Sequence, residues 1–286
     1  MTAPDPRDTP ARADLAARSL EGIVPAGAYA DARVMQAITP AAAIRRAPSA
    51  GAEQMDQLLF GELFEVADEQ GGWAWGQARR DGYVGYVDIA ALAAPAVAPT
   101  HRVIALRTYG YAEPDVRATT LGLYSLNALA ALEEDSLAEG GGRFARVTRG
   151  GWMALAHLAP IGVFETDPAA VAERFVGAPY QWGGRESLGL DCSGLTQAAL
   201  LACGIACPRD ADMQAVLGRP VEAGELTRGD LVLWPDHVGM MLDETCLIHA
   251  NGFHMAVAVE PLAVKLARND RVGSGPPSAY RRLTGL

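Results

Sequence analysis

Residues 180–195 read YQWGGRESLGLDCSGL, a glycine-rich aromatic loop that leads into a single cysteine. After Cys192, apolar residues recur at spacings of three and four until Gly204, and this pattern predicts a helix. Cys192 then lies in the first helical turn, where unpaired N–H groups and the helix dipole favour the thiolate over the thiol. We interpret Cys192 as a sulfur nucleophile at an exposed loop–helix junction, with a buried structural cysteine as the alternative.

The composition is that of an ordinary globular protein with room for at least two domains. The 286 residues are 50% hydrophobic and 20% charged, and the formal net charge is −10. Nucleic acids and anionic membranes usually require a basic surface, so we expect neither nucleic acid nor membrane among the partners. The first residues, 1–20, alternate charges and prolines and predict neither a secretory signal nor an anchor. These features favour a cytoplasmic location.

The four cysteines predict thiols rather than disulfides, because a cytoplasmic protein keeps them reduced. Cys203 and Cys207 have a spacing that metal ligands can adopt, but no second close pair accompanies them. Cys203 also falls within the apolar helical pattern. We therefore interpret both as structural thiols and expect no metal and no cofactor.

A β-rich region is predicted at 31–94, after an N-terminal arm at 1–30 that forms a short helix or covers a neighbouring surface. Three strand-like runs lie in this region: LLFGELFEV at 58–66, WAWGQA at 73–78 and YVGYV at 83–87. Glycine turns, Gly71-Gly72 and Asp81-Gly82, separate them. Short aromatic strands with such turns indicate a small barrel. The order of elements resembles a bacterial SH3 domain, with Tyr86 where tryptophan is more usual.

An Ala/Pro-rich stretch at 91–100 predicts a linker to a second β-like region at 100–162. That region contains VIAL at 103–106 and FARV at 144–147. We assign it to the same SH3-like class, although no close internal repeat relates the two regions.

The third region, 167–286, opens with a helix start. Asp167 is a predicted N-cap and Pro168 occupies the first helical position, so we expect a helix through Phe175 that Gly177 ends. The cysteine helix follows in the same region.

Two histidines lie on a predicted antiparallel hairpin, HVGMML at 237–242 and CLIHAN at 246–251. If the turn centres on Glu244, His237 faces Asn251 and His249 faces Gly239. Both imidazoles then lie on one face of the sheet, about 5 to 8 Å apart. At that distance one imidazole can orient the other, as nucleophilic catalysis requires.

In this interpretation His237 takes the Cys192 proton, and His249 binds the far nitrogen of His237 and sets its tautomer. Two alternatives stay open: the histidines are merely hydrogen-bonded polar groups, or they bind zinc together with Cys192. The zinc alternative lacks a fourth ligand. His254 follows a glycine break and is not included in the site.

Three motifs together resemble the NlpC/P60 family of papain-like cysteine peptidases. They are the Tyr-x-Trp-Gly-Gly loop before Asp191-Cys192-Ser193-Gly194, the run GDLV at 229–232 before His237-Val238-Gly239, and His249 twelve residues after His237. The resemblance implies a catalytic triad of Cys192, His237 and His249. It also implies an α+β fold: two small SH3-like β-barrels precede a papain-like domain at 167–286, in which helices pack on an antiparallel sheet.

SH3-like regions upstream of such a domain resemble the γ-D-glutamyl-L-diamino-acid endopeptidases of murein peptide recycling. That resemblance implies a murein tripeptide or tetrapeptide substrate with a free N-terminal L-Ala. It assigns recognition of the amine to Glu62, Tyr83 and Asp191. The alternatives are that Glu62 is a surface strand residue, that Tyr83 is a barrel aromatic, and that Asp191 caps the cysteine helix, alone or in addition to the amine role. Two carboxylates and a phenol would pair well with an ammonium and would reject a blocked nitrogen. The remaining residues expected to line the pocket are Trp182, Ser193 and Arg209.

The expected reaction is acyl transfer, in which Cys192 attacks the γ-D-glutamyl carbonyl and its main-chain N–H helps to hold the oxyanion. Two alternatives are an amidase or acyltransferase of the same superfold, and a non-enzymatic SH3 peptide-binding module with a silent catalytic domain. Diaminopimelate and lysine both remain open at the third substrate position, as does the oligomeric state.

Overall fold

The structure is a computed structural model that describes residues 4–137 and 144–284. Internal contacts divide the chain into two units, Met1–Ile161 and Gly162–Leu286. The first unit consists of strands and short turns, and the second combines helices with an antiparallel sheet. Over the described ranges, no helix combines the length and apolar character needed to cross a membrane.

The N-terminal arm lies against the first β-sheet region. It carries strands β1 (Ala16–Ala17) and β2 (Tyr29–Ala30), which pair in parallel. The Arg12 guanidinium sits 4.4 Å from the centre of the Trp75 ring, binds Asp68 at 2.8 Å and donates to the Tyr86 hydroxyl at 3.2 Å. A cation held over an indole and beside a carboxylate anchors the arm on the aromatic strands. The expected covering of a neighbouring surface is therefore present.

Seven strands form the next sheet, in the order β5-β4-β8-β7-β6-β3-β9. Their bounds are β3 Arg33–Ala37, β4 Ala41–Arg45, β5 Gln54–Leu59, β6 Leu63–Gln70, β7 Trp73–Ala78, β8 Val84–Asp88 and β9 Leu92–Ala93. The predicted glycine turns join β6 to β7 and β7 to β8, with Gly71, Gly72 and Gly82 all at positive φ. Apolar side chains of alternate residues, such as Ile44, Leu58 and Phe64, fill one buried cluster.

The predicted linker is shorter than its composition suggests, because β9 is part of this sheet and pairs with β3. The Ala/Pro segment beyond it is also tied down. Gln36 donates to the Val97 carbonyl at 2.8 Å and accepts the Val97 N–H at 3.1 Å. The proline and alanine content alone therefore overestimates the length of chain that runs between the two β-rich regions without contacts.

Residues 101–160 form two further antiparallel sheets, of three strands (β13-β10-β17) and five strands (β12-β11-β16-β15-β14). The bounds are β10 His101–Val103, β11 Arg107–Tyr111, β12 Thr120–Ser125, β13 Leu129–Ala130, β14 Leu132–Leu137, β15 Phe144–Val147, β16 Gly151–Ala154 and β17 Leu158–Pro160. Val103, Tyr124 and Met153 belong to their common core. Phe60 joins that core, with its ring 4.8 Å from the Tyr124 ring in an edge-to-face contact. The region is all-β as predicted.

The second unit packs helices on a six-stranded antiparallel sheet of order β20-β25-β21-β22-β23-β24. The helices and strands of this unit are α1 Pro168–Glu173, β18 Arg185–Glu186, β19 Gly189–Leu190, α2 Cys192–Ala202, α3 Ala211–Gln214, β20 Arg219–Pro220, β21 Leu231–Trp234, β22 His237–Met241, β23 Cys246–Asn251, β24 Ala256–Pro261, α4 Leu262–Val272 and β25 Ala279–Arg282. Strands β18 and β19 form a separate two-stranded sheet. Short 3-10 helices lie at Arg18–Leu20, Ile89–Ala91, Leu155–His157 and Ala223–Glu225. This architecture confirms the α+β class.

Helix α1 starts as predicted but is shorter than expected. The Asp167 carboxylate accepts the Ala169 and Ala170 N–H groups at 2.9 and 3.2 Å, which is N-cap geometry. The helix ends at Glu173 and the chain continues in turns to Gly177, which has a φ of +83°. The Gly177 N–H binds the Val257 carbonyl at 2.9 Å, so a tertiary contact replaces the last helical turn.

Asp230, in the GDLV run before the histidine strand, has a structural role. Its buried carboxylate accepts the Thr227 N–H at 2.8 Å and the Arg282 guanidinium at 2.7 and 2.9 Å. One acidic side chain therefore closes the turn before β21 and joins it to β25. The start of β21, the strand that leads to His237, is held in place by this contact.

Candidate active site

Cys192 is the first residue of α2, and Asp191 caps the helix. The Asp191 carboxylate accepts the Gly194 N–H at 2.8 Å. A Cβ atom at Gly194 would lie 2.2 Å from the Gly184 carbonyl oxygen. The Asp-Cys-Ser-Gly motif therefore needs a glycine because the preceding glycine loop passes directly over the helix start.

The sulfur environment corrects one expectation. Cys192 is only 6% exposed, so it does not lie at an exposed junction. Burial, together with the negative charge of Asp191, raises the pKa of the Cys192 thiol to about 12, although the N–H groups of Val238 and Ser193 bind the sulfur and act in the opposite direction. The free site therefore holds a thiol rather than the thiolate that the helix start predicted. A base has to remove its proton.

The histidine hairpin has the predicted register. Met240 pairs with Ile248 and Met241 with Leu247, which places His237 opposite Asn251 and His249 opposite Gly239. His237 Nε2 and His249 Nδ1 are 2.7 Å apart, and the ring centres are separated by 5.0 Å. The predicted contact between the imidazoles is therefore present.

Both imidazoles are electrically neutral in the free site at neutral pH. Burial lowers the pKa of His237 well below 6.5, and the neighbouring charges of His249, Lys265 and Arg268 lower it further. Burial also lowers the pKa of His249 to about 4, against the raising effect of Glu260. A neutral imidazole beside a protonated thiol is the charge state in which the imidazole can act as a base.

Asp191 is the centre of a buried hydrogen-bond cluster with Arg209. One Asp191 oxygen accepts from Ser193 Oγ at 3.2 Å and from Arg209 Nη1 at 3.0 Å. The other accepts the Gly183 N–H at 2.8 Å and Arg209 Nη2 at 2.7 Å. Arg209 is 1% exposed and also donates to Ser193 Oγ at 2.8 Å. The pair compensates two buried charges and fixes the glycine loop onto the start of α2.

Three residues expected to bind substrate, Asp191, Ser193 and Arg209, thus bind one another in the free protein. Trp182, by contrast, is 57% exposed next to the glycine loop. In the first unit, Glu62 is 1% exposed and forms an ion pair with Arg80, and Tyr83 belongs to the buried core of the first sheet. The role of all six residues in substrate binding stays a prediction.

The structure brings to the site three residues that no sequence pattern singled out as functional. Glu260 on β24 binds His249 Nε2 at 2.9 Å, and Arg268 on α4 forms an ion pair with Glu260. Tyr180 is the third: burial and the negative charges of Cys192 and Asp191 raise the pKa of its hydroxyl, which therefore stays a hydrogen-bond donor near the sulfur. A sequence signal for Glu260 exists: it is an acidic residue on the strand after the histidines, two positions beyond Ala258, which pairs with His249.

The donor atoms of His249, His254 and Glu260 lie within 4.8 Å of one another, a spacing that a metal ion could use. However, both ring nitrogens of His249 already make hydrogen bonds, and Glu260 is paired with a guanidinium. In the zinc alternative with His237, His249 and Cys192, His249 would have to give up its hydrogen bond either to His237 or to Glu260. The arrangement fits an imidazole relay better than a metal centre.

One segment in each unit of this chain matches a known protein family. Residues 44–92 match the bacterial dipeptidyl-peptidase Sh3 domain, and residues 177–272 match the NlpC/P60 family. Dipeptidyl-peptidase 6 of Lysinibacillus sphaericus is 36% identical over 91 residues, which are 31% of this chain and 33% of that protein. The gamma-D-glutamyl-L-lysine dipeptidyl-peptidase of Bacillus subtilis is 34% identical over 84 residues, which are 27% of this chain and 28% of that protein. The chain thus matches about a third of the length of these curated relatives.

The fold is shared more widely than the sequence. A crystal structure of an NlpC/P60 family protein from Bacillus cereus superposes with a TM-score of 0.74, over 88% of this chain and 100% of that one. At 20% identity this similarity concerns the fold alone. The motifs, the matched residues and the fold agree. The chain therefore carries a bacterial dipeptidyl-peptidase SH3 domain and, after it, a domain of the NlpC/P60 family.

Proposed function

We propose that this chain is a cysteine peptidase that hydrolyses the γ-D-glutamyl–diamino acid bond of murein peptides carrying a free N-terminal L-Ala. The observation that carries the proposal is the 2.7 Å contact of His237 Nε2 with His249 Nδ1. It leaves Nδ1 of His237 for the thiol, and the next residue, Val238, holds the Cys192 sulfur through its N–H. A nucleophile, a base and a group that orients the base are thus adjacent.

The proposed reaction passes through a thioester. His237 Nδ1 takes the Cys192 proton as the sulfur attacks the γ-D-glutamyl carbonyl carbon, and the C–N bond breaks as His237 returns that proton to the leaving amine. His237 then activates a water that hydrolyses the thioester and regenerates the thiol. The Cys192 main-chain N–H at the start of α2 and the Tyr180 hydroxyl are the donors for the oxyanion.

The substrate class is supported by the relatives and by the chemistry of the predicted residues. One relative is named for the γ-D-glutamyl-L-lysine bond, and the matched SH3 domain is that of bacterial dipeptidyl-peptidases. The family resemblance implies that carboxylate and phenol side chains recognise the free amine, and such groups suit an ammonium. A role in cell-wall peptide recycling and a cytoplasmic location remain predictions from the sequence.

We expect cleavage of L-Ala-γ-D-Glu-diaminopimelate to depend on its free amine. Acetylation of that nitrogen should lower kcat/KM by at least about 100-fold, because it removes the positive charge that the predicted carboxylates would bind and adds a bulky group at the same position. Chromatographic measurement of released L-Ala-D-Glu checks this. The same tripeptide amidated at its C-terminus is the matched control, since it changes one charge away from the amine.

Equal cleavage of the free and acetylated peptides would contradict the amine requirement and favour an amidase of the same superfold. Transfer of the acyl group to an added amine, without hydrolysis, would favour an acyltransferase. If no peptide is cleaved but murein peptide still binds, the chain acts as an SH3-based binding module.

The lowered pKa values of the histidines set the expected pH profile. A histidine whose pKa is lowered in the folded site stays neutral down to a more acidic pH, so the base remains available through pH 6.5. We expect kcat/KM to fall only as the pH approaches about 4, the pKa of His249. The measurement is kcat/KM between pH 4 and pH 8, with circular dichroism at each pH as the control for folding. If kcat/KM already fell at pH 6.5 or above as the pH is lowered (an acid limb at that pH), the expected profile would be contradicted.

A further inference from the structure

His249 makes a second hydrogen bond on the side that faces away from His237. Glu260 lies diagonally across β23 and β24 from His249, because Leu247 pairs with Glu260 and His249 with Ala258. Its Oε1 atom is 2.9 Å from His249 Nε2. Both side chains are buried, so this contact is shielded from water.

Arg268 holds the Glu260 carboxylate in that position. Arg268 Nη1 donates to Glu260 Oε2 at 2.8 Å, and Nη2 forms a second, short contact with Oε1. The guanidinium itself lies 4.2 Å from the centre of the Phe253 ring. A bidentate pair fixes the carboxylate plane, so Glu260 presents one defined oxygen to the histidine.

The direction of the hydrogen bonds follows from the charge of Glu260. An ionised carboxylate only accepts, so His249 Nε2 carries a proton and donates it. In neutral His249 the Nδ1 atom then has the lone pair and accepts from His237 Nε2. His237 Nδ1 is left without a proton, and it is the nitrogen that can take one from Cys192.

We propose that Glu260, clamped by Arg268, is a positioning residue that sets the tautomers of both histidines so that His237 Nδ1 acts as the base. This inference rests on the proposed function, because it concerns the same relay. It extends the triad to a chain of four side chains: Cys192, His237, His249 and Glu260. Glu260 acts through His249 and does not touch the substrate.

The charges around the relay determine how variants should behave. The groups that face the histidine pair are Glu260 on β24, Lys265 and Arg268 on α4, and His254 in the turn between β23 and β24, while Asp236 and Cys192 act on Lys265. Glu260 raises the pKa of His249, whereas Arg268 lowers the pKa of both histidines. Neutralising Glu260 and neutralising Arg268 should therefore shift the acid limb, the pH at which kcat/KM falls, in opposite directions.

The test compares Glu260→Gln and Arg268→Gln with the unchanged chain on the free-amine tripeptide. Glutamine can also donate to His249 and permit the wrong tautomer, so Glu260→Gln should lower kcat by about 10- to 100-fold with little change in KM. Its acid limb should move to lower pH. Arg268→Gln should move the limb to higher pH. Glu173→Gln, which neutralises a carboxylate bound to Arg228 at 2.7 Å in the same unit, is the matched control and should change neither kcat nor the limb.

Unchanged kcat and an unchanged limb in Glu260→Gln would overturn the proposal. So would a loss of activity in both variants without any limb shift, because that pattern belongs to a merely structural ion pair. Opposite shifts of the two limbs, with the expected fall of kcat, would support it.

Imidazole ¹⁵N spectra separate this inference from the proposed function, since they need no substrate. In the unchanged chain we expect His249 and His237 each to be protonated on Nε2, and a mixed tautomer in Glu260→Gln. If the tripeptide is not cleaved at all, the proposed function fails while these spectra still decide the positioning role. A His249 ring protonated on Nδ1 in the unchanged chain would overturn it.

Discussion

Cys192→Ala is expected to lower the hydrolysis of L-Ala-γ-D-Glu-diaminopimelate by at least about 10⁴-fold, because the variant lacks the atom that attacks the carbonyl. The alanine fits the space of the buried thiol, so folding should be retained. Release of L-Ala-D-Glu measures the activity, and circular dichroism the folding. Mass spectrometry of acid-quenched mixtures should detect a dipeptide thioester on the unchanged chain and none on the variant.

The matched control for this prediction is Cys246→Ala. Cys246 lies in the same unit, at the start of β23, and its sulfur is 3.6 Å from Thr245 Oγ1. Its removal should leave the activity unchanged. Retained hydrolysis in Cys192→Ala would exclude the thioester reaction, and with it the proposed cysteine peptidase.

The largest expected loss of stability follows from Asp191→Asn. The substitution keeps the shape of the side chain but leaves the Arg209 guanidinium, 1% exposed, without its counter-charge. Removing one partner of a buried ion pair costs about 3 to 5 kcal/mol, so we expect a loss of about 3 kcal/mol. For a unit of this size that corresponds to a fall in Tm of roughly 10 °C, measurable by calorimetry.

Asp167→Asn is the natural comparison, because Asp167 caps α1 as Asp191 caps α2. Its carboxylate is partly exposed and its partner Arg228 lies 2.8 Å away at the surface. Loss of such a cap costs about 1 kcal/mol. If the two variants melt at the same temperature, the buried pair of Asp191 and Arg209 contributes no more than an ordinary helix cap.

The parts of the site that rest on short-range patterns were predictable. The hairpin register of His237 and His249 follows from strand alternation and the turn at Asp243-Glu244-Thr245, all within fifteen consecutive residues. The helix start at Cys192 follows from the apolar period after it and from the capping Asp191. Backbone geometry is set locally in both cases, so residue spacing is sufficient.

The ionisation of the site was not predictable in the same way. The helix start favours a thiolate, yet burial of Cys192 under the glycine loop has the larger effect and raises the pKa of the thiol. Burial depends on which distant segments cover the sulfur. Periodicity describes one segment at a time and therefore cannot supply it.

The partners of the charged side chains were missed for a related reason. Arg209 reaches Asp191 across 18 residues, and Arg268 meets Glu260 only because α4 folds back on β24. The sequence alone indicated the family resemblance and the α+β class, and it singled out the candidate nucleophile and the two histidines, since these depend on residue types at fixed local spacing. The three-dimensional packing assigned Arg209 to Asp191 and Glu260 to His249. Electrostatic pairing depends on distance in space, and that distance exists only once helices and strands have packed together.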